Sequence, residues 1–143
     1  MTSSPAKRPQ PSAPTWAYSL LAAATALGLW FAWLGWDTEY DVDPNTGNLS
    51  GPYSWWQVAG FVLSAGSLVL AAGRFLPAAV NTAAISLGVA AGFALSARTD
   101  DSGLAAIGVV LILLGTAAGT VLLLALARLF RGRRGLSETG AGT

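Results

Sequence analysis

The chain has 143 residues, 53% of them apolar and only 10% charged, with a net charge of +1 and a mean hydropathy of +0.54. Soluble domains carry roughly a quarter charged residues, so a membrane environment is the first expectation, and a length near 150 fits a single domain. Neither cysteine nor histidine occurs, which excludes disulfides, thiol nucleophiles, Cys/His zinc sites, histidine-ligated haem and the commonest general base near neutral pH.

Residues 1–15, MTSSPAKRPQPSAPT, are rich in proline and serine, carry Lys7 and Arg8 and show no apolar periodicity. They read as a disordered cytoplasmic tail. From Trp16 to Trp36 the chain runs without a charge, and about 20 such residues span a hydrocarbon core of ~30 Å. A cleaved signal peptide would need small residues at the end of this run. Here the run ends in Trp30, Phe31, Trp33 and Trp36, so it is read as the first span.

The second and third spans are expected over about 55–75 and 77–97, joined by a tight turn around Arg74 and Leu76. Pro77 suits the first turn of a helix, where its missing N–H would be unpaired anyway. The fourth span is expected over about 104–127, with Asp100, Asp101 and Ser102 placed to cap its start. The transmembrane domain therefore occupies residues 16–130. Residues 131–143, RGRRGLSETGAGT, read as a basic, flexible cytoplasmic tail. Its LSETG lacks the proline of a sortase signal and follows the last span, where such a signal would precede it.

If the spans alternate in direction, Lys7, Arg8, Arg74, Arg128, Arg131, Arg133 and Arg134 share one side and Arg98 alone lies on the other. The positive-inside rule then puts both termini in the cytoplasm and makes this a multi-pass plasma-membrane protein. The acids sort oppositely: Glu138 is inside, and Asp37, Glu39, Asp41, Asp43, Asp100 and Asp101 are outside. The expected fold class is an all-α antiparallel bundle of four transmembrane helices, with a short extracytoplasmic hairpin between the first two.

That outer loop, residues 37–54, alternates Asp37, Glu39, Asp41 and Asp43 with Thr38, Tyr40 and Val42, which puts the carboxylates on one face of an extended strand. Pro44, Asn45 and Gly47 give a strong turn signal, so a hairpin of about 39–43 with 48–53 is expected. A cation site built from Asp37, Glu39, Asp41, Asp43 and Asn45 is the sharper reading. An EF-hand loop starting at Asp41 would need glycine sixth and glutamate twelfth, where the chain has Thr46 and Pro52. Same-face carboxylates about 6.6 Å apart repel by roughly 0.6 kcal/mol in water, and salt screens even that. No metal or other cofactor is required. Asp41-Val42-Asp43 matches the DxD of metal-dependent glycosyltransferases without their nucleotide-binding surroundings, and Asn48-Leu49-Ser50 fits a glycosylation sequon.

Six large rings flank the loop: Trp30, Trp33 and Trp36 before it, and Tyr53, Trp55 and Trp56 after it. Such rings favour the membrane interface, where an apolar body and a polar N–H or O–H both find their medium. They are expected to form an aromatic belt. The alternative is an aromatic pocket for a lipid, an isoprenoid or a cationic headgroup.

Helices in lipid associate where small residues let backbones approach. Ridges at four-residue spacing are Ala24, Gly28 and Ala32 on the first span and Gly60 with Ser64 on the second. Ala84, Gly88, Gly92 and Ser96 continue the pattern on the third span, and Gly115 with Gly119 on the fourth. Packing inside one bundle is expected ahead of a homodimer interface. No span carries an acid or base away from its ends, which removes the usual machinery of proton-coupled transport. Small multidrug transporters share the layout but need a glutamate in their first helix, and none stands there. Only Gln57 and Asn81 among the polar residues in the spans require partners, since serine and threonine can bond the preceding turn.

Gly51-Pro52-Tyr53 followed by Trp56-Gln57, leading from an acidic loop into the second span, resembles the pattern of small, uncharacterised four-helix integral membrane proteins of actinobacteria. The resemblance implies the four-helix fold and no particular activity. The expectation is a non-enzymatic accessory or interaction protein of the cell envelope. Its partners would be the lipid bilayer and other membrane proteins or a second copy of itself, with no nucleic acid. The alternatives are a small oligomeric transporter or channel, or a lipid-binding protein that uses the aromatic pocket.

Overall fold

In a medium without water every backbone N–H and C=O must find its partner inside the segment, so uncharged runs of this length fold as helices. The structure, a computed structural model, describes residues 14–37, 41–42, 47, 49–51, 53–98 and 103–139, without the side chains of 41, 42, 49, 50 and 132–139. Its helices are α1 (Thr15–Trp33), α2 (Trp55–Ala72), α3 (Ala78–Ser96) and α4 (Leu104–Thr139). All of α1, α2 and α3, and Leu104–Arg131 of α4, are long and apolar enough to cross a membrane, the make-up of a multi-pass membrane protein.

The boundaries differ from those expected at several helix ends: α2 stops at Ala72 where 75 was expected, and α3 covers Ala78–Ser96 where 77–97 was expected. Helix α1 stops at Trp33, where the N–H groups of Leu34 and Gly35 both turn back to the Trp30 carbonyl at 2.8 and 3.0 Å, so Trp36 lies past its end. Helix α4 runs to Thr139, through the segment read as a flexible tail from residue 131. Extending an existing helix avoids the nucleation penalty, and arginine, leucine and glutamate are all good helix formers. The expected caps Asp100, Asp101 and Ser102 lie outside the described residues. Gly103 precedes α4 with a φ of 75°, a conformation that glycine adopts without steric cost.

Between α1 and α2 two short strands, β1 (Asp41–Val42) and β2 (Leu49–Ser50), pair antiparallel, with Asp41 opposite Ser50 and Val42 opposite Leu49. Gly47 has a φ of 66°, the left-handed turn conformation its position calls for.

Helix α3 is the central element, packed against α1 on one side and α4 on the other. Ala22, Ala26, Trp30 and Leu34 meet Ala84, Ile85 and Val89 in the core, with Val69 and Leu76 closing it from α2 and the following turn. Contact is backbone-close where glycine permits it. A Cβ on Gly88 would strike the Ala23 carbonyl oxygen and lie 2.9 Å from the Ala26 Cβ, and one on Gly92 would lie 2.6 Å from the Trp30 Cβ. One on Gly60 would enter the Trp33 ring, and one on Gly108 would lie 2.6 Å from the Phe93 ring.

The other small-residue ridges face outward. Ala24, Gly28 and Ala32 are exposed, and Gly28, Gly115 and Gly119 have nothing within 4 Å of a Cβ position. Helix α1 turns its Ala22–Ala26–Trp30 face to α3 instead, because that face carries a bulky ring opposite the gap left by Gly92. Ser64 is half-buried on α2.

These contacts separate two glycines that look alike in the sequence. Gly88→Leu should destabilise the bundle by about 1–3 kcal/mol, whereas Gly28→Leu should stay within about 0.5 kcal/mol of wild type. Thermal unfolding in mild detergent, followed by circular dichroism, measures both.

Candidate functional site

The six rings around the loop do not share one environment. Trp30 is 4% exposed and is packed edge-to-face by Tyr53, Phe61 and Phe93, with ring centres 6.3, 5.9 and 5.6 Å away. Its Nε1–H donates to Ser96 Oγ at 3.0 Å, and that hydroxyl donates to the Gly92 carbonyl at 3.1 Å. An indole buried with its N–H satisfied is a core residue. Trp33 and Tyr53 are half-buried, Trp33 meeting Trp56 edge-on at 6.3 Å. Trp36, Trp55 and Trp56 are exposed, Trp55 by 83%. The rings thus form a filled cluster of Trp30 and its neighbours with an exposed fringe, and none of the three cavities described below is lined by Trp30, Trp33, Trp36, Tyr53, Trp55 or Trp56.

Of the cation candidates, Glu39, Asp43 and Asn45 lie outside the described residues, and Asp41 is described only by its place in β1. Asp37 already has a partner: its Oδ2 accepts Gln57 Nε2–H at 3.0 Å. Gln57 is fully buried, and its Oε1 accepts the Ser54 N–H at 2.6 Å. Ser54 and Gln57 are the N-cap and N3 residues of a capping box on α2, so one side chain both caps a helix and holds the end of α1 beside it. The spacing Ser-x-x-Gln before an apolar run carries this signal in the sequence. Among the described residues no three carboxylates, histidines or cysteines converge on a point.

Asn81 performs the matching task at the opposite ends of the helices. It is fully buried on α3 and donates from Nδ2 to the Val69 carbonyl of α2 at 3.0 Å. Asn81 Oδ1, Thr82 Oγ1 and Ser86 Oγ, also on α3, are buried without a hydrogen-bond partner.

What the sequence reading did not contain is the open seam between α2 and α4. A groove of about 420 Å³ runs along it, walled by Phe61, Ala65 and Val69 of α2 and by Gly115, Gly119 and Leu123 of α4, with Ile85 of α3 as its floor. The volume falls in the range of about 300–1,000 Å³ usual for ligand sites. Thr116 and Thr120 put hydroxyl groups on its α4 wall. Further along the same two helices lies a small polar cleft of about 40 Å³, lined by Gly73, Leu76, Ala78, Leu124, Arg128 and Arg131 among others. A third cavity, about 260 Å³ and almost wholly apolar, sits between α1 and α2 beside the stacked pair Tyr18 and Phe75, whose ring centres are 5.2 Å apart.

No protein-family model, curated protein or solved structure matches this chain. Its candidate site is accordingly defined by geometry, and the seam offers the largest volume of the three cavities, the missing side chains of Gly115 and Gly119, and charge at one end. Sequence patterning misses it because a groove is a relation between two helices that are each apolar all round.

The division of the rings into core and fringe has a measurable consequence. Trp30→Ala should destabilise the protein by about 3–5 kcal/mol, while Trp55→Ala should change stability by no more than about 0.5 kcal/mol. Comparing the two thermal transitions in the same detergent checks this.

Proposed function

We propose that this chain is a non-enzymatic integral protein of the plasma membrane that works as an accessory by binding another envelope component within the bilayer. The α2–α4 seam is its working surface. In this reading the four spans alternate in direction, both termini are cytoplasmic, and the acidic hairpin 37–54 is extracytoplasmic. Two contacts support the alternation: Tyr18 near the start of α1 stacks on Phe75 just past the end of α2, and Trp33 at the end of α1 lies against Gly60 near the start of α2. The partition of arginine and lysine supports the orientation.

The observation that carries the reading is the contrast between the two sides of the bundle. The hydrogen bonds of Gln57, Asn81 and Trp30 with Ser96 all join one element to another, so these groups are committed to holding the fold. The seam has volume, breadth and hydroxyl groups not committed in that way. Asp37 is engaged by Gln57, and without histidine or cysteine the chain has few groups suited to catalysis.

Native mass spectrometry of the intact chain, released from mild detergent, tests the proposal. The wild type should retain a non-covalent companion, lipid or protein, and the double variant Gly115→Leu/Gly119→Leu should lose most of it while keeping its helical circular dichroism. Equal retention by both would remove the seam from the mechanism. A wild type that retains nothing, with solute flux in liposomes above empty controls, would favour a small oligomeric transporter instead.

A further inference from the structure

Resting on the seam as the working surface, we infer that its occupant is an anionic phospholipid of the cytoplasmic leaflet, with the phosphate held at Arg128 and Arg131 and one acyl chain lying between α2 and α4. The polar cleft and the apolar groove are consecutive stretches of a single seam. Leu124 belongs to the cleft and Leu123 to the groove, on neighbouring positions of α4.

At the cleft, three features favour an anion. Arg128 and Arg131 both line it, on adjacent turns of one helix face, and arginine presents a fork of N–H donors that matches a phosphate. Ala78, the first residue of α3, lines it too. The first α3 N–H bonded within the helix end is that of Asn81, to the Pro77 carbonyl at 2.9 Å, and Pro77 caps the helix without a side-chain bond. The α3 dipole therefore turns its positive end toward the cleft. The opposing negative end of α2 is largely quenched: the Val69 carbonyl accepts both Gly73 N–H and Asn81 Nδ2–H, and Ala71 and Ala72 accept from the turn 74–76. A cleft of about 40 Å³ takes roughly three water-sized groups, the scale of the free oxygens of one phosphate.

The groove fits the remainder of a lipid. The stretch of α4 from Leu124 back to Gly115 is about 14 Å long at 1.5 Å per residue, close to the ~15 Å depth of a single leaflet. At the absent side chains of Gly115 and Gly119 the groove gains the depth that a hydrocarbon chain needs, as neither glycine meets another atom within 4 Å of its Cβ position.

The test uses the full chain in mild detergent, offered equal amounts of phosphatidylglycerol and phosphatidylcholine with identical acyl chains, with native mass spectrometry reading the bound lipid. Wild type should prefer the anionic lipid by at least about tenfold. Arg128→Gln/Arg131→Gln should bring the ratio near one, and Arg128→Lys/Arg131→Lys, which keeps the charge that directs insertion, should lose a substantial part of it. Arg133→Gln/Arg134→Gln, an equal charge change further along α4, should keep the preference. Gly119→Leu should reduce retention of both lipids. If the Arg133/Arg134 variant loses the preference as fully as the Arg128/Arg131 variant, the attraction is diffuse and the site is refuted.

Other outcomes separate the two claims. Lost lipid in Gly119→Leu with an intact preference in Arg128→Gln/Arg131→Gln would keep the seam and overturn the headgroup assignment, and the reverse pattern would overturn the seam. Millimolar inorganic phosphate that raises the melting temperature as much as the anionic lipid does would reduce the site to one for a free anion. The chain lacks cysteine, so Gly119→Cys offers a clean probe. Quantitative disulfide dimers formed regardless of lipid would make the seam an interface between two copies and overturn the proposal.

Discussion

A large ring can be buried between helices only where the facing helix gives way, and here Gly92 gives way to Trp30. Lipid provides little hydrophobic drive for helices to associate, since leaving it for another helix gains almost nothing in apolar contact. Association must come from close van der Waals fit and from hydrogen bonds that the bilayer cannot supply. The Trp30 indole meets both conditions, filling the gap over Gly92 and satisfying its N–H at Ser96, one turn further along α3. Around it gather Phe61, Phe93 and Tyr53, so α1, α2, α3 and the end of the loop are referred to a single side chain. The Gly88 approach to Ala23 then follows the same face of α3 one turn earlier.

The spans themselves could be read directly, because four uncharged runs of sufficient length in a chain with 10% charged residues leave little else for them to be. The turn at Gly47 was legible for a related reason, since its composition encodes a backbone conformation and not a partner. The choice of faces was not legible. Each span is apolar on every side, so no periodicity marks the contact surface, and the GxxxG spacing that marks Gly88 and Gly92 marks Gly115 and Gly119 equally well. Only the neighbours distinguish them: Gly88 meets a backbone and Gly115 meets nothing.

The tryptophans show the same limit. Composition places Trp30 with Trp33, Trp36, Trp55 and Trp56 as rings suited to an interface, yet Trp30 is buried while Trp36, Trp55 and Trp56 are exposed. Trp30 differs from them by lying on the face of α1 that meets Gly92 of α3. Gln57 was half legible, since its need of a partner can be argued from burial in a span, while its two partners come from a capping box and from a residue twenty positions away.

That last arrangement has a structural corollary for the loop. Ser54, Gln57 and Asp37 fasten the exit from α1 to the entry of α2, so the two ends of the connection are closed into one frame. Tyr53, packed on Trp30, belongs to that frame. A change of length at the Gly47 turn, between β1 and β2, therefore does not have to be transmitted to the helices, and a tag or an epitope could be inserted there while the spans keep their register.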